Sequence, residues 1–344
     1  MEKPPRIEEH IPIGKFCTFR LGGPARYFSR ASSASHIPFL VERARSLRVP
    51  LHILGGGSNT ICADGVIERF VIKMEENNIS PVDETKTNFF IEAAAGTPWD
   101  AFVEYAVRHN TSGVEALSAI PGTVGATPIQ NVGAYGQEVG GTIVHARAYD
   151  TKTDSFVTIP AKQCRFEYRG SIFKWRARGR FIITSVLFRL SKRAPKIPNY
   201  PSVRKYFVES KTRHPSPVDI RNAVITIRAS KLPDPARIPN AGSFFENPVV
   251  PRGVCKKLSR KFPEIPLFAF SDTKLEIPAG WLIDQCGFKG IWKGNAGVYK
   301  KNALVLIGNR KTTYQDLMNL KDDIISAVRK KFGISLEMEP DIVI

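Results

Sequence analysis

The stretch IPGTVGATPIQNVGAYGQEVGG, residues 120–141, constrains the fold of this chain more than any other feature. It holds six glycines and two prolines but almost no charge, so it suits neither a solvated linker nor an ordinary helix or strand. Glycine lets the backbone approach a ligand closely. Gln130 and Asn131 add donors and acceptors that match the edge of a heteroaromatic ring. The pattern predicts a ligand-binding loop, with a structural turn as the alternative.

A second glycine loop, LGGGSNT at residues 54–60, follows the short apolar run LHIL at 51–54. Its three glycines expose backbone N–H groups, and Ser58 and Asn59 add side-chain donors, which is the composition of a phosphate-binding turn. It is not the GxGxxG fingerprint, which requires glycine at Thr60, and no P-loop GK[ST] follows. A merely tight turn is the alternative for this loop alone. The two loops together indicate one extended ligand with a pyrophosphate and a ring, and a dinucleotide cofactor fits both.

Helix and strand signals alternate along the chain. Apolar residues at helical spacing predict helices at 36–47, 99–109, 218–232 and 314–332. Alternating or continuous apolar runs predict strands at 51–54, 69–74, 89–95, 144–150, 155–160 and 180–190. The Pro-rich, charged stretch 193–217 is typical of a domain boundary or a mobile substrate loop.

Capping residues mark the ends of these helices. Helix starts are expected at Ser33 or Ser35, at Thr97 with Pro98, at Ser216 with Pro217, and at Thr312 or Thr313. Gly333 is expected to end the last helix. The mixture of helices and strands predicts an α+β protein with a cofactor-binding N-terminal half and a separate domain after about residue 218.

The net charge of +18 calls for anionic partners or a large solvated basic surface. Fifteen Lys or Arg residues fall between positions 161 and 215, against the two acids Glu167 and Glu209. Nucleic acids and phosphorylated small molecules are both candidates for such a surface. The alternative is a basic face with no specific partner.

Cysteine usage and hydropathy favour a cytoplasmic protein. The five cysteines are odd in number and widely spaced, with no CxxC pair, so we expect reduced thiols and no metal site. No apolar run reaches the length of a membrane span, and MEKPPRIEEHIPIGKF lacks the apolar core of a signal peptide.

Seven ordered motifs carry a resemblance to a known family: CTFRLGGPARYF (17–28), LGGGSN (54–59), IPGTVGATPIQNVGAYGQEV (120–139), CRFEYRGSIFK (164–174), KLPDP (231–235), NAGSFFENPVV (240–250) and GWLIDQCGFKG (280–290). Over nearly its whole length the chain resembles the UDP-N-acetylenolpyruvoylglucosamine reductases, of the type with a tyrosine-bearing substrate loop.

The resemblance implies a three-domain α+β flavoenzyme with the FAD-binding fold of the vanillyl-alcohol-oxidase (PCMH) type. The first FAD-binding subdomain would span residues 1–75 and include the tail 334–344. The second would span 76–215, and the α+β domain that binds the UDP-sugar would span 216–333.

The resemblance also implies the reaction. NADPH would reduce the bound FAD, and the enolpyruvyl group of UDP-N-acetylglucosamine enolpyruvate would then be reduced to give UDP-N-acetylmuramate for peptidoglycan synthesis. The expected FAD-binding residues occupy the two glycine loops: Gly55, Gly56, Gly57, Ser58, Asn59, Ile120, Pro121, Gly122, Thr123, Gly125, Gln130, Asn131, Gly133 and Ala134.

The family pattern assigns three catalytic residues. Arg169, in YRGSIFK, would lie beside the substrate carboxylate, where a guanidinium suits developing negative charge. Ser243, in NAGSFFENP, would be the proton donor to a strongly basic carbon. The third member is an acid in the C-terminal motif, and a gapless match selects Glu339, while a two-residue insertion would select Asp341.

For the UDP-sugar, the family pattern carries over to Tyr200, Lys231, Asn247, Lys289 and Asn302. The lysines suit a diphosphate, and Tyr200 could cover the nucleotide. A positive cleft would attract FAD, NADPH and the UDP-sugar, which explains part of the net charge. We expect a monomer that binds neither nucleic acid nor membrane.

Two other functions compete with this reading. A flavin oxidase or dehydrogenase of the same fold would keep LGGGSN but would not need Ser243 or KLPDP. A basic nucleic-acid binder would bind in a salt-dependent way, yet it explains neither glycine loop. The sequence shows no recognition helix, RNP motif or zinc finger.

Overall fold

The computed structural model describes residues 3–344, which form a mixture of strands and helices. The strands are β1 Ile7–Pro12, β2 Pro24–Ala31, β3 Leu51–Leu54, β4 Thr60–Cys62, β5 Ile67–Met74, β6 Ile79–Glu84, β7 Asn88–Ala94, β8 Gly133–Ala134, β9 Gln137–Glu138, β10 Ile143–Asp150, β11 Ser155–Pro160, β12 Phe181–Ser191, β13 Asn240–Ser243, β14 Val249–Pro251, β15 Phe268–Ala269, β16 Lys274–Glu276, β17 Trp292–Lys293, β18 Ala296–Val298, β19 Val305–Gly308 and β20 Asp341–Val343.

The α-helices are α1 His36–Ser46, α2 Trp99–Arg108, α3 Ala161–Cys164, α4 Pro201–Glu209, α5 Pro217–Lys231, α6 Arg252–Lys261, α7 Ala279–Gln285 and α8 Tyr314–Phe332. All four predicted helices and all six predicted strands are confirmed to within about two residues at each end, which is the usual scatter of element boundaries.

The chain divides into two compact units. Unit 1 comprises residues 3–11, 25–57 and 68–230, and unit 2 comprises 12–24, 58–67 and 231–344. The predicted division into three domains stays a prediction. The two units divide the chain at different positions, and α5 up to Ser230 belongs to unit 1.

Unit 1 contains two larger sheets and the two-stranded hairpin β8-β9. A four-stranded sheet has the order β1-β2-β5-β3, in which β3 and β5 are parallel with Leu51 opposite Phe70. A five-stranded antiparallel sheet has the order β11-β10-β12-β7-β6. Its core is aromatic: the rings of Phe102 on α2 and Phe188 on β12 lie 4.3 Å apart, and Trp99 packs against both. The indole N–H of Trp99 donates to the Leu117 carbonyl at 2.9 Å, so its buried polar atom is satisfied.

Unit 2 contains a four-stranded sheet of order β13-β19-β18-β17, a three-stranded sheet of order β14-β16-β15, and the parallel pair β20-β4. Helix α8 buries Leu317, Leu320, Ile324 and Val328, the residues whose spacing predicts its apolar face. Its capping box between Thr313 and Asp316 and its left-handed Gly333 (φ 69°) confirm both predicted ends.

Three local predictions need correction. Thr97 does not cap α2, because its hydroxyl instead exchanges hydrogen bonds with the backbone of Asn78, and the helix begins at Trp99 after Pro98. Ser35 holds the N-cap position of α1 but makes no side-chain cap hydrogen bond. The stretch 193–217 is not all loop, since it forms helix α4, whose first turn begins with a proline.

Candidate active site

The two glycine-rich loops meet inside unit 1. A Cβ atom built on Gly56 would lie 2.6 Å from the Cα of Gly122, and one built on Gly55 would lie 2.6 Å from the Thr123 hydroxyl oxygen. Both distances are shorter than real Cβ contacts. At Gly56 the neighbouring atoms are backbone, so only glycine fits there, whereas at Gly55 the Thr123 hydroxyl would have to rotate away. The Lys73 ammonium donates to the Gly55 carbonyl at 2.6 Å and fixes the start of the first loop. Sequence reasoning did not single out Lys73, because this contact joins β5 to a loop 18 residues earlier.

The contact region between the loops fits an anionic cofactor. The Thr123 hydroxyl is buried and has no hydrogen-bond partner among residues 3–344, although buried hydroxyls normally have one. Gly57 and Gly122 have positive φ angles of 62° and 130°, conformations that turn backbone amides in directions other residues rarely adopt. A hydroxyl without a partner beside glycine amides offers the hydrogen-bond donors that a pyrophosphate accepts from, so these residues fit the predicted FAD.

The second glycine loop continues into the hairpin β8-β9, in which Gly133 pairs with Glu138 and Ala134 with Gln137. Ile120 is half-buried and packs on the aromatic core of unit 1. Pro121 is exposed and Gln130 is half-buried. Gly125 approaches Ala95 so closely that an added Cβ would lie 2.5 Å from the Ala95 Cβ.

Asn131 has a different environment from the rest of this loop. It is 1% exposed, and its amide donates to the Glu138 carboxylate at 2.8 Å and to the Glu167 carbonyl at 3.1 Å. Its Oδ1 accepts from the Gly140 amide at 2.9 Å. The side chain is therefore engaged by the protein itself, and a cofactor contact of Asn131, which stays a prediction, would use its backbone.

Arg169 lies in unit 1 at the tip of a tight turn. Glu167 and Gly170 close the turn with two backbone hydrogen bonds of 3.1 Å, and Arg169 adopts a left-handed φ of 51°. A Cβ built on Gly133 would lie 3.1 Å from an Nη atom of Arg169, so the guanidinium lies against the second glycine loop. The structure thus brings the predicted carboxylate-binding arginine to the predicted flavin-facing loop.

Ser243 lies in unit 2 at the end of β13, opposite Val305 of β19. The preceding Gly242 is left-handed (φ 72°), and its amide donates to the Asn240 side chain at 3.0 Å. The following Phe244 is fully buried, and its amide donates to the Leu304 carbonyl at 2.9 Å. The serine is therefore held between two fixed neighbours.

The C-terminal motif packs beside Ser243. The Glu339 amide donates to the Phe244 carbonyl at 3.0 Å, and Met338 forms a bridge with Phe245. The Glu339 carbonyl accepts from the Asn59 side chain at 3.1 Å. Asp341 instead lies in β20 opposite Thr60, with an exposed side chain. Of the two candidate acids, Glu339 has its backbone bonded next to the serine.

The predicted UDP-sugar residues of unit 2 occupy several elements. Asn247 donates to the Glu276 carboxylate at 2.8 Å and accepts from the Ala279 amide at 2.9 Å, so it satisfies the N-terminus of α7. Lys289 pairs with Asp284 at 3.0 Å. The Asn302 side chain accepts from the Leu304 amide at 3.0 Å, and Lys231 ends α5.

Tyr200 lies in unit 1 at the N-cap position of α4, with 43% of its surface exposed. Its ring meets that of Tyr135, in the second glycine loop, edge to face at 5.1 Å. Tyr135 in turn is hydrogen-bonded to Arg228 of α5, whose pKa is lowered by burial. Sequence reasoning missed Arg228, since a single arginine on an amphipathic helix carries no signal of its partner.

His52, on β3 immediately before the first glycine loop, is kept neutral by its surroundings. Burial, together with the nearby positive charges of Arg69 and Arg178, lowers its pKa to about 4. A neutral imidazole under the loop adds no charge to the site at physiological pH.

Within residues 3–344 no helix is both long and apolar enough to cross a bilayer. Over the same residues, no group of three or more His, Cys, Asp or Glu side chains is arranged to hold a metal ion.

Comparison with known families matches both halves of this architecture. The family described as "FAD binding domain" matches residues 25–149, which include the glycines of the first loop and the whole of the second loop. The chain is thus an FAD-dependent oxidoreductase, which confirms the predicted cofactor class. The family described as "UDP-N-acetylenolpyruvoylglucosamine reductase, C-terminal domain" matches residues 234–343, which include Ser243 and Glu339.

Curated relatives and a solved structure extend the match over the full length. The UDP-N-acetylenolpyruvoylglucosamine reductase of Chromobacterium violaceum is 39% identical over 331 residues, which is 96% of this chain and 97% of that protein. The enzyme of the same name from Dechloromonas aromatica is 40% identical over 336 residues, 96% of this chain and 98% of that protein.

The crystal structure of the Thermus caldophilus reductase of that name aligns with a TM-score of 0.67 and 20% identity, covering 99% of this chain and 100% of that one, and so shows the same fold. The chain belongs to the UDP-N-acetylenolpyruvoylglucosamine reductase family, as its seven motifs predict.

Proposed function

We propose that this protein uses NADPH and FAD to reduce the enolpyruvyl group of UDP-N-acetylglucosamine enolpyruvate, giving UDP-N-acetylmuramate. The family supplies the substrate class. The observation that carries the proposal is the contact between the Ser243 strand and the Glu339 segment, fixed by the bond between the Phe244 carbonyl and the Glu339 amide. This bond supports the proposal because it holds the backbone of Glu339 against that of the residue that follows Ser243.

FAD, when bound, takes hydride from NADPH and delivers it to the substrate double bond, which is the cofactor's own chemistry. The residues that would hold it are those of the two glycine loops, where the buried Thr123 hydroxyl and the amides of Gly55–Gly57 would supply hydrogen-bond donors for the pyrophosphate. The Lys73 contact keeps the first loop in the conformation that allows this.

Arg169 binds the substrate carboxylate and stabilises the negative charge that grows on it as the neighbouring carbon gains hydride. A guanidinium is permanently charged and donates through two parallel N–H groups, so it matches a carboxylate becoming enediolate-like. A donor fixed in place before the reaction needs no reorganisation at the transition state. The left-handed turn and the contact with Gly133 provide that fixed position.

Ser243 then delivers a proton to the adjacent carbon. A serine hydroxyl is a weak acid, so it can serve only where the acceptor is strongly basic and the donor is held at the reacting atom. The left-handed Gly242 and the hydrogen-bonded backbone of Phe244 support this role, because they fix the backbone on both sides of Ser243.

Glu339 is the third catalytic residue of the proposal. Its amide is hydrogen-bonded to the carbonyl of Phe244, the residue next to Ser243. Asp341 instead lies in β20, paired with Thr60 of β4. The segment that carries Glu339 is tied down on its other side by Asn59, a residue of the first glycine loop.

The UDP-sugar would be bound by Lys231, Asn247, Lys289 and Asn302, with Tyr200 covering the nucleotide. The half-exposed Tyr200 and the salt-bridged Lys289 are both accessible to a ligand. The protein is proposed to act as a cytoplasmic monomer, without binding nucleic acid or membrane.

Substitution Ser243→Ala tests the proposal. Reduction of the bound flavin by NADPH should stay within about twofold of wild type, while reoxidation by the enolpyruvyl sugar should slow by roughly 10²- to 10⁴-fold, the usual contribution of a general acid. Ser259→Ala, on the half-exposed face of α6, is the matched control and should change neither step. A parallel loss of both half-reactions in Ser243→Ala would remove the serine from the proton-donor role.

A further inference from the structure

The turn that carries Arg169 is conformationally demanding. Arg169 is a non-glycine residue with a φ of 51°, a region that ordinary residues occupy only when their surroundings hold them there. The turn itself spans four residues, closed by the mutual backbone bonds of Glu167 and Gly170. One of these bonds is donated by the Gly170 amide, which belongs to the peptide that follows Arg169. The other polar group of that peptide, the Arg169 carbonyl, takes its hydrogen bond from outside the turn.

Lys174 supplies one such contact. Its ammonium donates to the Arg169 carbonyl at 2.9 Å, in a partly buried position. The same ammonium lies 4.8 Å from the centre of the Trp175 ring, which limits where the flexible side chain can go. The Lys174 amide also bonds the Ser171 carbonyl at 3.2 Å, so the backbone that carries this lysine is anchored to the same loop.

Asn131 supplies a contact on the opposite side of the turn. Its amide donates to the Glu167 carbonyl, the residue that closes the turn, and also to the Glu138 carboxylate. Because Asn131 belongs to the second glycine loop, it ties the Arg169 turn to the hairpin that contains Gly133. The Arg169 guanidinium lies against that glycine.

We propose that Lys174 is a positioning residue for the reduction step. Together with Asn131, it fixes the backbone of Arg169 so that the guanidinium meets the substrate carboxylate in its reactive orientation. The inference rests on the proposed function, since it assigns to Lys174 an effect that passes through Arg169.

The chemistry predicts a selective effect. Misplacing a group that stabilises transition-state charge lowers the rate of the step in which the charge develops, even when the substrate still binds. NADPH oxidation involves no carboxylate at this arginine in the proposed mechanism. Loss of the Lys174 contact should therefore affect reoxidation of the reduced protein by the enolpyruvyl sugar and leave reduction by NADPH nearly unchanged.

The test uses the FAD-loaded protein with the two half-reactions measured separately by flavin absorbance. Lys174→Met, which keeps the chain length and removes the donor, should slow reoxidation at saturating substrate by about 10- to 100-fold. Lys174→Arg, which restores a cationic donor, should recover the rate to within about threefold. Lys162→Met, on an exposed lysine of α3, is the control and should match wild type.

A double-substitution cycle shows whether the effect passes through Arg169. In an Arg169→Lys background, Lys174→Met should cost no more than about twofold, because residues that act as one unit are non-additive. A full additive loss in that background would overturn the proposal, as would equal loss of both half-reactions or unchanged reoxidation in Lys174→Met.

Asn131→Ala is a second test of the same proposal, because it removes the hydrogen bond from Asn131 to the Glu167 carbonyl of the turn. It should slow reoxidation selectively while the protein keeps its FAD, and unchanged reoxidation would contradict the positioning network. A wild-type protein whose reduced flavin ignores the enolpyruvyl sugar would refute the proposed function itself. A wild type that turns over beside an equally active Lys174→Met would refute this inference alone.

Discussion

Gly56→Ala provides the most direct structural test of the cofactor site. The added Cβ would lie 2.6 Å from the Gly122 Cα, 3.0 Å from its carbonyl carbon and 3.3 Å from its nitrogen. All three atoms are backbone, so no side chain can rotate away. Ordinary contact begins at 3.4 Å, and the two loops must therefore separate by about 0.8 Å, the difference between 3.4 and 2.6 Å.

The cost of this separation falls on FAD binding. Overpacking by one methyl group costs typically about 1–3 kcal/mol. If that cost is expressed in the loop conformation that binds the cofactor, the Kd for FAD rises roughly 5- to 150-fold, since about 1.4 kcal/mol is a factor of ten.

The assay is titration of the FAD-free protein with FAD, followed by flavin fluorescence, together with thermal unfolding of both forms. Gly141→Ala is the matched control, because nothing lies within 4 Å of a Cβ at that glycine, which ends the second glycine loop. Wild-type FAD affinity in Gly56→Ala would refute the reasoning that the two loops meet at the cofactor. Weakened binding in Gly141→Ala to the same extent would refute it too.

Two further predictions concern acids and bases in the protein. Glu339→Gln should slow reoxidation by the enolpyruvyl sugar by at least about tenfold, whereas the rate of Asp341→Asn should stay within about twofold of wild type. Stopped-flow measurements compare the two variants, and a larger loss in Asp341→Asn than in Glu339→Gln would assign the catalytic role to Asp341. The surroundings of His52 lower its pKa from the ordinary 6.5 to about 4, so below pH 6.5 the unfolded chain binds a proton that the folded state excludes. The contribution of neutral His52 to the free energy of unfolding is therefore fully present above pH 6.5 and is lost as the pH falls toward 4. Between those pH values, His52→Leu should reduce the slope of unfolding free energy against pH by up to about 1.4 kcal/mol per pH unit, as measured by urea unfolding. An unchanged slope would show that His52 is not the group responsible.

Local signals in the sequence predicted local structure well. Thr313, Asp316 and Gly333 mark the ends of α8 because capping depends on residues within one turn. Thr97 was misassigned because its hydroxyl bonds to Asn78, on a different segment, in preference to the helix start next to it. Helix α4 was missed because proline and charge hide the two buried residues, Val203 and Phe207, that hold it.

The same contrast between local signals and long-range contacts applies to the candidate site. The glycine loops could be predicted as ligand loops from composition, and their mutual approach at Gly56 and Gly122 explains why glycine is required. The contacts of Lys73 and Lys174 with backbone carbonyls could not be predicted, since neither lysine carries a motif that names its partner. The roles of Arg169 and Ser243 came from the family pattern, and they stay predictions until the variants are measured.

The central claim is tested most directly by one anaerobic experiment on the wild-type protein. The purified protein is loaded with FAD, reduced with NADPH and mixed with UDP-N-acetylglucosamine enolpyruvate. The flavin absorbance is followed during the reaction, and the product is identified and quantified by mass spectrometry. The account predicts rapid return of the oxidised flavin spectrum and one UDP-N-acetylmuramate formed per flavin. A flavin that stays reduced in the presence of the substrate, or one that reoxidises without forming that product, would contradict it.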